Sequence, residues 1–113
     1  MDTNSYRTLE ARIRHGSEPD HPRLLIRYLS LSCARAERCN SSGDKRAAYL
    51  RAYHTLLEAI CDPCVARHWR CLCLDQICVP IIALNRLAST RRERARIQRL
   101  RHELSVLSHY FLA

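Results

Sequence analysis

The stretch that decides the fold is Asp44–Cys61, DKRAAYLRAYHTLLEAIC. Ala47, Leu50, Tyr53, Leu57, Ile60 and Cys61 recur at steps of three or four, which gathers them into one stripe on a helix of about four turns. Lys45, Arg51 and Glu58 fall on the opposite, polar face. Asp44 stands where a side chain can cap the first turn. A strand reading would need alternation with period two, and this stretch has none.

Outward from that segment the punctuation is sparse. Only Gly16, Gly43, Pro19, Pro22, Pro63 and Pro80 interrupt 113 residues rich in Leu, Ala, Arg and Glu. Helix propensity therefore favours an all-α chain. Residues 3–15 read as a first helix with Tyr6, Leu9 and Ile13 on one side and Gly16 as its stop. Asp20 can cap a second helix that tolerates Pro22 in its first turn. That helix carries Leu24, Leu25, Tyr28, Leu29, Leu31 and Ala36, is apolar around much of its circumference, and is expected deep in the core. Residues 40–43, Asn-Ser-Ser-Gly, end it. Beyond residue 80 a long helical stretch follows, with a break near Ser89-Thr90.

The composition, 47% apolar and 27% charged, excludes a disordered tail, and no apolar run reaches the roughly 18–20 residues of a spanning helix. The first residues, Met1-Asp2-Thr3-Asn4-Ser5, lack the basic and apolar succession of a secretory leader, so an intracellular, soluble protein is expected. One domain is expected over 1–113. It divides into a helical part (1–60), a cysteine-rich zinc-binding segment (61–80) and a basic amphipathic helical part (81–113).

Seven cysteines are many for such a chain, and the odd number argues against a disulfide framework. Cys61 and Cys64 form a Cys-x2-Cys pair around Asp62-Pro63, and Cys73 and Cys78 follow. Four soft ligands suit tetrahedral Zn²⁺, and Cys61, Cys64, Cys73 and Cys78 are the preferred set, with His68 and Cys71 as alternates. The competing reading makes these cysteines small apolar packing residues, which Cys33 and Cys39 fit better than a ligand role. Trp69 reads as a local core anchor rather than a platform for a base.

The charge is +8, and of nineteen cationic residues only Lys45 is lysine. Arg86, Arg91, Arg92, Arg94, Arg96, Arg99 and Arg101 lie within sixteen positions, relieved only by Glu93 and Glu103. On a helix Arg92, Arg96 and Arg99 share a side, as do Arg94 and Arg101, while Ile97, Leu100 and Leu104 take the face between. Guanidinium groups meet phosphate with paired hydrogen bonds and stack on bases, so these seven are the candidate nucleic-acid contacts. The plainer alternative is a solvated face whose arginines follow from a GC-rich coding sequence. The stripe Ile97, Leu100, Leu104, Leu107, Phe111 is also long enough to pair two copies as a homodimer seam.

The cysteine pattern resembles that of the cysteine-rich nucleic-acid-binding proteins of plant RNA viruses, carlaviruses in particular. Cys61 and Cys64, then Cys73, Cys78, Val79 and Pro80, carry the resemblance, and Asn85 falls where that family often has asparagine. It covers residues 61–85. The arginine run follows the cysteines here rather than preceding them, and Ile81 replaces the glycine expected after Val-Pro. A vaguer likeness, to geminivirus pre-coat proteins, lies in Arg51-Ala52-Tyr53-His54, the Cys-x2-Cys and Arg67-His68. Both resemblances point to a small viral accessory protein, and the first implies a zinc-dependent protein that binds RNA or DNA and acts as a suppressor of host RNA silencing or as a pathogenicity factor.

No phosphate loop, His-Glu-x-x-His, nucleophile elbow or deaminase His-x-Glu occurs, so no enzyme is expected. The expectation is an all-α bundle of four to five helices with one zinc-stapled loop, binding single- or double-stranded RNA and engaging no membrane. The alternative is a helical adaptor for a host protein, a silencing-pathway protein among the candidates, with its charge incidental. Host cytoplasm is the expected location, and Arg91-Arg92-Glu93-Arg94 adds the nucleus through import.

Overall fold

The computed structural model describes residues 3–112, so the reading of the chain start as leaderless lies partly outside it. Six helices make up the fold among the described residues: α1 (Thr3–His15), α2 (Arg23–Arg38), α3 (Ser42–Ile60), α4 (Arg67–Gln76), α5 (Cys78–Leu87) and α6 (Arg91–Leu112). No strand occurs among those residues. They form a slab with extents of 38 × 35 × 16 Å. None of the helices is long and apolar enough to cross a membrane.

The all-α expectation holds, and α1 begins and ends where the sequence placed it. Its end is set by Gly16 at φ +58°. The amide of Gly16 donates to Ile13 O at 3.2 Å and that of Ser17 to Arg12 O at 3.1 Å, the pairing of a Schellman terminus. Tyr6, Leu9 and Ile13 are buried on one side, as their spacing requires.

The deep helix is α3, not α2. From Tyr49 to Ile60 it buries Tyr49, Ala52, Tyr53, Thr55, Leu56, Leu57, Ala59 and Ile60, and it packs against each of the other five helices. The reading of α3 as a single stripe is too narrow, and Ala47 falls on the exposed side. α2 instead leaves Ile26 58% exposed and buries one face, through Leu25, Tyr28, Leu29, Ser32 and Ala36. Two caps also move. Ser41, not Asp44, caps α3, its hydroxyl accepting from the Asp44 amide at 3.0 Å. Pro22 occupies the start of α2 with no side-chain cap, and Asp20 reaches His68 instead.

Residues 61–80 are largely helical rather than a loop. A short turn, 61–66, leads into α4, which packs Trp69, Arg70 and Cys73 inward. Pro80 has no amide hydrogen to give to the carbonyl four residues back, so α4 ends at Gln76 and α5 restarts at Cys78 around Ile77. Trp69 is 1% exposed and donates its indole N–H to Ile13 O at 2.9 Å, which docks α4 on the end of α1. That is the anchor role expected of it.

Arg70 is the contact that closes the bundle. It is 7% exposed. Its Nε donates to Ile60 O at 2.9 Å and its Nη2 to Phe111 O at 3.1 Å. One guanidinium thus meets the carboxyl ends of both α3 and α6, where helix dipoles place partial negative charge. Arg67 adds a bond to Leu112 O at 2.5 Å.

Candidate nucleic-acid interface

The break expected near Ser89-Thr90 is present and is built by a capping box. Thr90 Oγ1 accepts from the Glu93 amide at 3.1 Å, and Glu93 Oε2 accepts from the Ser89 amide at 2.8 Å. Glu93 also receives Arg46 Nη2 at 3.1 Å. The amide bonds, with Arg46 beside them, hold the Glu93 carboxyl below its ordinary range. The one acid inside the arginine run is therefore engaged with the helix start and with α3.

α6 docks through a narrow face. Ile97 and Leu112 are buried, and Leu100, Leu104 and Leu107 are half-buried against the core. Ile97, Leu100, Leu104 and Leu107, four of the five residues of the candidate dimer seam, thus dock the helix on its own bundle. Glu103, the second acid, accepts the Tyr53 hydroxyl at 3.0 Å. Burial followed by this hydrogen bond raises the Tyr53 phenol well above its ordinary value, so it stays a donor.

With both acids occupied, the arginines stand alone. Arg86, Arg91, Arg92, Arg94, Arg96, Arg99 and Arg101 are all exposed. Among the described residues none of them makes an ion pair or a side-chain hydrogen bond. Some other arginines of the chain are paired, Arg14 with Asp62 at 3.0 Å, Arg51 with Glu10 at 2.8 Å and Arg46 with Glu93, whereas among the described residues Arg35 and Arg38 of α2 are not. Arg91 and Arg92 stand in the first turn of α6, where the helix dipole disfavours cations. They gain no local compensation for that cost. Dipole and guanidinium groups there attract the same thing, an anion.

Arg92, Arg96 and Arg99 also rim a cleft of about 490 Å³ between α3, α5 and α6. Arg46 and Glu93 complete the rim, and Leu50, Leu84, Ala88, Ile97 and Leu100 form the apolar floor. Arg101 lies on the other flank of α6, beside a groove lined by Ile77, Ile81, Ile82 and Leu104. No aromatic side chain lines either depression. No family model, curated protein or solved structure matches the chain.

The expected zinc ligands do not converge in this arrangement. Cys61 closes α3, Cys64 is exposed in the following turn, Cys73 is buried within α4 and Cys78 is exposed at the start of α5. Tetrahedral thiolates around Zn²⁺ stand about 3.8 Å from one another. Among the described residues no three His, Cys, Asp or Glu side chains gather closely enough to hold a metal. Burial among apolar neighbours pushes the Cys73 thiol up to about 12, which keeps it protonated. Of the alternates, His68 is exposed and meets Asp20 at 3.1 Å, while Cys71 is half-buried. Cys33 packs half-buried against the core, and Cys39 donates its thiol to Arg35 O at 3.4 Å, in line with a packing role for both.

Two functional-looking groups were missed in the sequence. Nothing local in the sequence marks Arg70 as buried. Arg51 was assigned to the solvated face of α3, yet it is half-buried and bidentate to Glu10, at 2.8–3.1 Å. A scan for a carboxylate one helix away could not have found that pair without the packing.

Proposed function

We propose that the protein binds RNA through the arginines of α6 and the end of α5, and that it acts in this way as a suppressor of host RNA silencing. The observation that supports the reading is that, among the described residues, Arg86, Arg91, Arg92, Arg94, Arg96, Arg99 and Arg101 are exposed and make no ion pair, while Glu93 and Glu103 bond to Arg46 and Tyr53. An ordinary solvated helix intersperses opposite charges at i, i+4 spacing. This one does not. Phosphates supply the missing anions, and the backbone contacts need no aromatic platform. No step of this reading passes through zinc.

The test is RNA binding across a salt series, with single- and double-stranded oligonucleotides. Each phosphate contact contributes about −0.7 to −0.9 to the slope of log K against log salt. Arg92→Gln/Arg96→Gln/Arg99→Gln should therefore flatten the slope by about 2–3 while leaving helicity unchanged, because all three side chains are exposed. Binding that is absent at low salt, or a slope that the triple variant leaves intact, overturns the proposal.

The rimmed cleft gives a second reading specific support. An apolar floor of Leu50, Leu84, Ile97 and Leu100 beneath four arginines suits the apolar face of an acidic helix from a partner protein. In that case a Leu50→Gln variant would abolish partner binding and leave the RNA salt slope unchanged.

A further inference from the structure

A second concentration of unpaired positive charge lies away from α6, where α1, α2 and α3 converge. A cavity of about 250 Å³ is lined there by Tyr6, Ser32, Arg35, Arg38, Arg51 and Ala48, with Cys39 at its edge. Ala48 and Arg51 line this cavity, whereas Arg46 and Leu50 of the same helix line the α6 cleft. The two sites draw on different residues of α3.

The floor is fixed. Tyr6 stacks on Tyr28 with ring centroids 5.5 Å apart and an interplanar angle of 23°. The Ser32 hydroxyl donates to Tyr28 O at 2.8 Å, so the Tyr6 hydroxyl must donate to Ser32 across their 2.7 Å bond. Both hydroxyl protons are thereby used within the protein. Two guanidinium groups sit over the Tyr6 ring, Arg35 at 4.2 Å and Arg51 at 4.9 Å from its centroid. Packing against the ring orients both forks before any ligand arrives.

The charge in this cavity is not balanced. Glu10 answers Arg51, and it also accepts the Tyr28 hydroxyl at 2.7 Å. Glu37 is taken by Tyr49 at 2.8 Å and lies near Lys45. Among the described residues no carboxylate lines the cavity, and Arg35 and Arg38 make no ion pair. The donors left facing it belong to guanidinium groups, which offer no acceptor. The complementary ligand is all acceptor and anionic. Planar forks from two or three arginines match the several oxygens of a phosphate. The volume lies below the roughly 300–1,000 Å³ of ordinary small-molecule pockets, so the ligand is small.

We propose that the cavity between Tyr6, Arg35, Arg38 and Arg51 binds a phosphate group, either as inorganic phosphate or as the head of a small phosphate monoester. The site is independent of the α6 reading and stands or falls separately from it.

The experiment is thermal unfolding and calorimetric titration of the full chain with sodium phosphate against sodium chloride at equal ionic strength. Phosphate should raise the melting temperature saturably. Arg38→Gln, an exposed side chain outside the Tyr6 stack, should weaken phosphate binding by about tenfold or more while leaving the melting temperature in chloride unchanged. Arg35→Gln should weaken it as strongly, with its stability in chloride measured alongside to separate loss of folding from loss of ligand. Arg92→Gln/Arg96→Gln/Arg99→Gln should bind phosphate as the parent does. Adenosine 5′-monophosphate compared with adenosine separates the two sources. Tighter binding of the nucleotide than of inorganic phosphate assigns a monoester, and the reverse assigns the free anion. Absence of a saturable shift, retention of binding in Arg38→Gln, or its loss only in the α6 triple variant overturns the proposal.

Discussion

Replacing Arg70 with methionine tests how the bundle is closed. The substitution keeps an unbranched apolar stem of similar reach and removes the fork. Ile60 O lies in a buried setting and loses a charged donor, a loss of about 1.5–3 kcal/mol. Phe111 O is partly exposed, so water replaces much of its bond and the cost is about 0.5–1 kcal/mol. Against these, methionine avoids the desolvation of a buried cation, which returns about 1 kcal/mol. The net loss is about 1–3 kcal/mol. With a urea m value of about 1–2 kcal/mol/M, the unfolding midpoint falls by about 0.5–3 M, readable by circular dichroism at 222 nm. Arg70→Lys should fall between parent and Arg70→Met. An ammonium preserves the charge at the two helix ends but cannot span both carbonyls as a fixed fork. A midpoint change worth less than about 1 kcal/mol in Arg70→Met would refute the clamp.

Gly16→Ala should destabilise by at least about 2 kcal/mol, because the left-handed backbone alone costs about 1–2 kcal/mol and the new Cβ would stand 2.8 Å from Trp69 Cδ1 and Val65 Cγ1. Trp69 is the only tryptophan, so its fluorescence should report the disturbance, and an unshifted emission with parental stability would contradict this account. Acid should destabilise the fold through Asp62 and Glu93. Arg14 and the Cys64 amide lower the first, the Ser89 amide and Arg46 the second, from ordinary values of 3.8 and 4.5. Both contributions are complete above those values and fade as pH falls through the lower folded ones. Asp62→Asn and Glu93→Gln should flatten the decline below pH 4.5 in a stability profile. Alkylation of the native protein at pH 8 should label Cys64 and Cys78 and spare Cys73, as mapped by peptide mass spectrometry. Added zinc should neither protect the first two nor bind in an equimolar, saturable way, and protection of both would restore a metal site.

Local chemistry made much of this protein readable in advance. The three-to-four spacing of Tyr6, Leu9 and Ile13, the stop at Gly16 and the break at Ser89-Thr90 are properties of neighbouring residues, and the structure agrees at each. The exposure of the seven arginines followed from the same logic, since Ile97, Leu100 and Leu104 had already claimed the face of α6 that docks.

What the tertiary structure decided concerns partners distant in the chain. Periodicity gives a helix its apolar face but does not rank helices by depth, and α3 is central because five neighbours cover it. Short ligand spacing suggested one zinc site. Once residues 67–76 are helical, however, Cys73 is carried into the core while Cys64 stays in the turn before α4. Arg51 reads as a polar-face cation until a carboxylate on another helix meets it, and no local signal shows that Arg70 meets a carbonyl ten residues back. Local sequence governs conformation because backbone propensity and side-chain period act over one or two turns. Charge partners and burial depend on which helix faces arrive together, and only the packed chain settles that.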